Sequence, residues 1–288
     1  MSEPSTLYFL LDQMLPFECL QARFMQKALL GLLLLAPVTA ALGVQAVHFR
    51  MAFFVDAISH SAFAGIALGL IFAVSPHWTM PLFGMLVGLT IMAMRRRSSL
   101  STDTVIGVVF AAVMAFGLAV ISRDAAVARD LPRFLYGDIL TLEDRDLFVL
   151  GGLFAAGFLF LGLGYNRLLL IGLNPAVARA HGVRVALYQY GFAGLLALAV
   201  MLSVWAVGVL LVTALMILPA AAGRNLARSA GSMFWWAILV GTLSAVAGLL
   251  ISAQDWARTA TGPTIVLCGF AGFLFSHGVA VLRGRPAI

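Results

Sequence analysis

Asp56 and His60 stand four residues apart in the run Phe54-Val55-Asp56-Ala57-Ile58-Ser59-His60-Ser61-Ala62-Phe63-Ala64-Gly65. At that spacing on a helix both side chains project from one face. The surrounding stretch is apolar enough to read as a membrane helix, where a central aspartate costs roughly 2.5–3.5 kcal/mol on insertion scales. A carboxylate and an imidazole together suit a borderline divalent cation such as zinc or manganese. Two other readings stay open on spacing alone. One is a hydrogen-bonded pair that ties helices together. The other is a proton relay. Two ligands fall short of the four that close a structural site, and such an open set suits an ion in transit.

The helix that carries the pair belongs to a chain built for lipid. Of 288 residues, 62% are hydrophobic and 10% charged, and the mean hydropathy is +1.03. A soluble domain carries about 25% charged residues, so this composition predicts an all-α polytopic membrane protein. Apolar runs of spanning length fall at 29–47, 53–74, 79–94, 104–122, 147–165, 186–205, 208–222, 233–252 and 263–282. They predict about nine helices, within a range of eight to ten. The 208–222 run is short and ends near Pro219, which reads as a short or broken helix. Residues 1–26 read as an interfacial N-terminal segment, interrupted by Asp12, Pro16 and Glu18. Those acids, with Glu3, also argue against a cleaved secretory signal.

The formal net charge of +6 raises nucleic acid as a partner, but the basic residues sit in short clusters between apolar runs, which fits membrane orientation instead. If the runs alternate direction, one side (X) gathers Arg50, the Arg95–Arg97 cluster, Arg167, Arg179, Arg184, Arg224, Arg228, Arg283 and Arg285. The other side (Y) receives Arg23, Lys27, Arg123, Arg129, Arg133, Arg145 and Arg258. The excess predicts that X is cytoplasmic, with the C-terminus inside and the N-terminus outside.

Two connections are too long for simple turns. On side Y, Leu131-Pro132-Arg133-Phe134-Leu135-Tyr136-Gly137-Asp138-Ile139-Leu140 reads as an amphipathic stretch at the interface. Asp138 there either caps a short helix or lines an entrance. On side X, within 174–185, Asn174 is placed to cap a short helix, Pro175 suits its first turn and Gly182 its stop. That helix is a docking element or a solvated connector. His77, beside Pro76 and Trp78 in a side-Y loop, is a possible entrance contact. His48, His181 and His277 read as structural. Cys19 and Cys268 show no metal or disulfide spacing.

Several absences narrow the chemistry. A P-loop ends in Gly-Lys-Ser/Thr, and the single lysine, Lys27, sits between Gln26 and Ala28. Any ATP hydrolysis therefore belongs to another polypeptide. There is no His-Glu-x-x-His helix and no nucleophile elbow, so the chain is not read as an enzyme.

Six landmarks in order give the chain a family likeness: Arg50 followed by Asp56-Ala57-Ile58-Ser59-His60; Thr102-Asp103-Thr104-Val105-Ile106-Gly107; Tyr136-Gly137-Asp138-Ile139-Leu140; Ala178-Arg179-Ala180-His181-Gly182-Val183; Leu210-Leu211-Val212-Thr213-Ala214-Leu215-Met216-Ile217-Leu218-Pro219-Ala220; and Gly262-Pro263-Thr264-Ile265-Val266-Leu267. Across about residues 25–282 the sequence resembles the membrane permease subunits of ABC importers for zinc, manganese or iron. It departs from their pattern at Val55, where glycine is common, and at Phe63-Ala64, where smaller or proline-containing variants occur.

The resemblance implies a single permease domain over 1–288 that works as a homodimer with the pathway between protomers. It implies Asp56 and His60 as metal contacts, and residues 174–185 as a coupling helix in which Asn174, Ala178, Arg179, His181 and Gly182 meet the ATPase. The implied partners are two ABC ATPase subunits carrying the ATP and an extracytoplasmic metal-binding protein, with no nucleic acid. No cofactor is bound permanently, and the divalent metal is cargo. The implied location is the inner membrane of a bacterium. The alternative is a proton- or sodium-coupled carrier with Asp56–His60 as relay.

Overall fold

In hydrocarbon every backbone N–H and C=O must be paired within the segment, so long apolar runs close into helices. The computed structural model describes residues 22–122, 139–257 and 259–283. Among these residues lie ten α-helices and one 3-10 turn, Ile139–Thr141. The helices are α1 (Arg23–His48), α2 (Ala52–Ile71), α3 (Pro76–Arg97), α4 (Thr102–Ile121), α5 (Asp144–Leu173), α6 (Pro175–Ala180), α7 (Val185–Val207), α8 (Val209–Leu226), α9 (Ala230–Ser252) and α10 (Thr261–Leu282). Eight of them are long and apolar enough to cross a membrane. The short ninth apolar helix is α8, which continues past Pro219 to Leu226 instead of ending there. Helix α1 takes in residues 23–26, which the sequence reading placed in the interfacial segment. Asp138 and most of the 131–140 stretch lie outside the described residues.

The ends are written into the sequence. Pro76 sits in the first turn of α3, where its missing N–H costs nothing. Ser101 Oγ accepts from Thr104 N at the start of α4. Glu143 and Asp146 form a reciprocal capping box on α5, and their negative charge favours that helix N-terminus. Arg95, Arg96 and Arg97 occupy the last turn of α3, where the dipole favours cations.

Packing makes α1, α2 and α7 the inner helices. Helix α2 lies against α3, α4, α7 and α8, and α1 lies against α5, α8 and α9. Helices α3, α4, α5, α9 and α10 expose most of their apolar surface, as lipid-facing helices do. Small residues set the closest approaches. A Cβ at Gly43 would collide with the Met216 carbonyl of α8, and one at Gly248 would stand 2.5 Å from the Ile265 Cα of α10. Gly65 and Gly69 admit Met80 and Thr79 of α3 in the same way. Gly208, at φ 83°, is the sole residue between α7 and α8. Only glycine takes that left-handed conformation freely.

Contacts between helix ends bear out the alternation of sides. On Y, Lys27 Nζ pairs with Asp144 Oδ1 at 2.9 Å, and Ser252 Oγ donates to Thr261 Oγ1 at 3.1 Å. On X, His48 Nε2 meets the Leu169 carbonyl at 3.1 Å, and the Tyr165 hydroxyl donates to the Ala230 carbonyl at 2.8 Å. Each bond joins two ends that the sequence places on the same side.

Candidate functional site

Asp56 and His60 lie one and two turns inside α2 and share a face with Phe53, at positions i, i+3 and i+7. Around this stripe α2 is packed solid: Phe54, Val55, Ile58, Ser59 and Ser61 are fully buried. The stripe is open within one chain, with Phe53 66% exposed and the Asp56 and His60 side chains 41% and 24% exposed.

His60 Nε2 stands 3.7 Å from Asp56 Oδ1. That exceeds the hydrogen-bond range of about 2.7–3.2 Å, so the pair is not a hydrogen-bonded clamp. Two ligands each about 2.0–2.1 Å from one ion, at the tetrahedral angle, stand ~3.4 Å apart. The observed separation is close to that spacing and needs only a small rotamer adjustment to hold a cation between the two atoms. The imidazole is oriented by rings, with Phe63 at 5.8 Å and Phe110 of α4 at 5.7 Å between centroids. Its other nitrogen, Nδ1, is buried with no hydrogen-bond partner among the described residues.

Sequence reasoning gave Thr213 no role, yet its hydroxyl donates to Asp56 Oδ1 at 3.4 Å across from α8. The neighbouring serines do not compete, since Ser59 Oγ donates to the Val55 carbonyl and Ser61 Oγ to that of Ile58. The Thr213 bond is long, and we expect Thr213→Val to weaken zinc binding at this pair only about fivefold, as befits a net contribution near 1 kcal/mol. A zinc titration of the purified protein reads this directly, and an unchanged midpoint shows that the hydroxyl does not assist.

No group of three or more His, Cys, Asp or Glu stands together among the described residues. The described residues of one chain therefore offer an ion this pair alone.

The other expected site residues lie elsewhere. His77 lies in the first turn of α3, not in the expected loop, and its ring packs at a 46° tilt against Trp205 of α7, with centroids 3.7 Å apart, at a side-Y cavity of about 250 Å³ that Arg145 and Asp146 also line. On side X, α6 is a six-residue helix capped as expected. Asn174 Oδ1 accepts from the Ala176 and Val177 amides at 2.9 and 3.3 Å, and Gly182 closes it at φ 75°. Ala178 is fully buried and seats the helix on the body, while Val177, Arg179 and His181 face outward. The His181 ring turns back onto the Val177 carbonyl at 2.9 Å. His48 joins α1 to α5, and His277 stacks on Phe273 of its own helix.

Against known proteins, the sequence model of the ABC 3 transport family matches residues 21–280. The high-affinity zinc uptake system membrane protein ZnuB of Haemophilus influenzae is 33% identical over 248 residues, covering 86% of this chain and 94% of its own. The manganese import system permease protein ScaB of Streptococcus parasanguinis is 32% identical over 260 residues, covering 90% and 92%. Among solved structures, PsaBC from Streptococcus pneumoniae in complex with Fab superposes with a TM-score of 0.76 at 29% identity, over 96% of this chain and 99% of that one.

Proposed function

Because this chain belongs to the ABC 3 transport family, we propose that it is the membrane permease subunit of an ATP-driven importer for a divalent transition metal, with zinc first and manganese or iron next. The observation that carries the reading is the Asp56–His60 pair, at a spacing near that of two ligands on one ion and on an open face of an otherwise buried helix. Relatives named for zinc uptake and for manganese import support the metal class. The proton- or sodium-coupled carrier finds no support in these comparisons.

Two copies of the chain enclose the path, so that the open stripes of α2 face each other and complete the shell with water or with the second pair. Weak, incomplete coordination lets the ion leave, and a tight closed site would stall it. A separate metal-binding protein delivers the ion on side Y, past the His77 cavity. Side X, with the C-terminus, faces the cytoplasm. There the outward face of α6 docks on two ATPase subunits, whose ATP binding moves the bundles between outward-open and inward-open states.

Proteoliposomes containing the permease, its ATPase and its binding protein test the reading. We expect zinc or manganese uptake that requires all three proteins and ATP. Uptake by the permease alone under a pH gradient would falsify it.

A further inference from the structure

On side X a crevice of about 450 Å³ separates the end of α5 from the start of α9, with Val44 and Val47 of the inner helix α1 in its lining. Two arginines reach it: Arg50, in the turn after α1, and Arg224, in the last turn of α8. Arg50 adopts φ 55°, a conformation that non-glycine residues seldom take. Neither guanidinium has an ion pair or hydrogen bond among the described residues, and no acidic side chain lines the crevice. The other polar groups there are committed. His48 Nε2 donates to the Leu169 carbonyl, and the Tyr165 hydroxyl donates to that of Ala230. The amino-terminal end of α9, at Ala230, adds its partial positive charge to the same space.

The remaining lining is apolar, supplied by Leu169, Leu173 and Met233 as well as the α1 valines. Just beyond the crevice on α9, Trp235 and Trp236 are 67% and 41% exposed. Exposed tryptophans on a membrane helix mark the level of the lipid headgroups. The crevice thus joins unpaired positive charge at headgroup depth to an apolar wall between two lipid-facing helices. Basic pockets of that kind between membrane helices suit anionic headgroups. The geometry points to a binding site for an anionic phospholipid, its phosphate held by Arg50 and Arg224 and its acyl chain laid along Leu169, Leu173 and Met233. An inorganic phosphate would use only the arginine end.

Native mass spectrometry of the purified permease–ATPase complex tests the site after exchange into detergent with added phosphatidylglycerol or phosphatidylcholine. The expected result is preferential retention of phosphatidylglycerol. Arg224→Gln lowers that retention about fivefold, as does Arg50→Gln, in line with the attraction of one arginine to an anionic membrane surface. Arg228→Gln, an exposed arginine of the same side that does not line the crevice, retains it fully. Because Arg50 holds an unusual turn, Arg224→Gln carries the test if Arg50→Gln misfolds. Equal retention of the two lipids, or unchanged retention in Arg224→Gln, overturns the proposal. So does displacement of the lipid by millimolar inorganic phosphate. Loss of the ATPase subunit from Arg224→Gln with lipid retention intact assigns the crevice to the protein partner and overturns it too.

Discussion

Asp56→Asn lowers metal uptake by the reconstituted transporter about a hundredfold or more, yet leaves the melting temperature of the complex unchanged or higher. The size follows from what the substitution removes. Losing a group that merely supports a metal ligand costs about 10–100-fold in affinity or activity, and Asp56 is itself read as a ligand. The direction of the stability change follows from the bilayer. A carboxylate at this depth is costly, and in this structure its hydrogen bond to Thr213 is long, at 3.4 Å. Its separation from His60, 3.7 Å, is beyond a hydrogen bond. A neutral amide of the same shape relieves the cost and loses little. Uptake and thermal melting measured on the same preparation separate the two roles. A fall in melting temperature with transport intact means that Asp56 is structural. His60→Ala behaves like Asp56→Asn in uptake, but it also vacates the contact with Phe63 and Phe110 and so costs some stability.

The second large effect lies on side X. Replacing both outward-facing residues of α6, as Val177→Asp with Arg179→Glu, reduces co-purification of the ATPase and lowers coupled uptake more than thirtyfold. Arginine is among the residues that dominate interfaces, at about 2 kcal/mol or more, and an acid in place of Val177 adds an unpaired charge to any contact made there. The fold of the helix survives the change, because its stability rests elsewhere. Asn174 caps it, Gly182 ends it in a left-handed turn, and buried Ala178 seats it. Arg179→Glu also sets an acid at the helix C-terminus, a penalty of at most about 1 kcal/mol, and Arg179→Gln serves as the control. If pull-down is unchanged across several substitutions in 174–183, the docking surface lies elsewhere.

The helices were legible because lipid leaves the backbone so few options. Most long apolar runs became helices within a few residues of their expected limits, although α5 runs on past 165 to Leu173, and the caps at Asn174 and Gly182 formed as local chemistry required. The discrepancies sit where local patterns are ambiguous. Acids and a proline near the chain start argued for an interfacial segment up to residue 26, but Arg23 and Lys27 lie in the first turns of α1, and Lys27 reaches Asp144 across the bundle. Pro219 suggested a helix end, yet α8 runs through it to Leu226. Proline is tolerated inside membrane helices because neighbours satisfy the backbone group it frees.

The candidate site was half legible. The i, i+4 spacing of Asp56 and His60 is local and survives in the structure as a shared face. Thr213 was invisible in that role because its contact bridges 157 positions of sequence, and a threonine in an apolar helix most often bonds its own backbone, as Thr39 does. Ala178 shows the same limit in reverse. It belongs to a recognisable landmark, but only packing reveals that it faces inward while its neighbours Val177 and Arg179 face out.

The central claim is that the ion passes between Asp56 and His60. Element-specific anomalous diffraction from crystals of the transporter soaked in zinc or manganese tests it most directly. The account predicts a peak within about 2.0–2.2 Å of an Asp56 carboxylate oxygen and of His60 Nε2, absent in Asp56→Asn crystals grown and soaked alike. A well-occupied metal peak elsewhere along the path, with this pair empty, contradicts it.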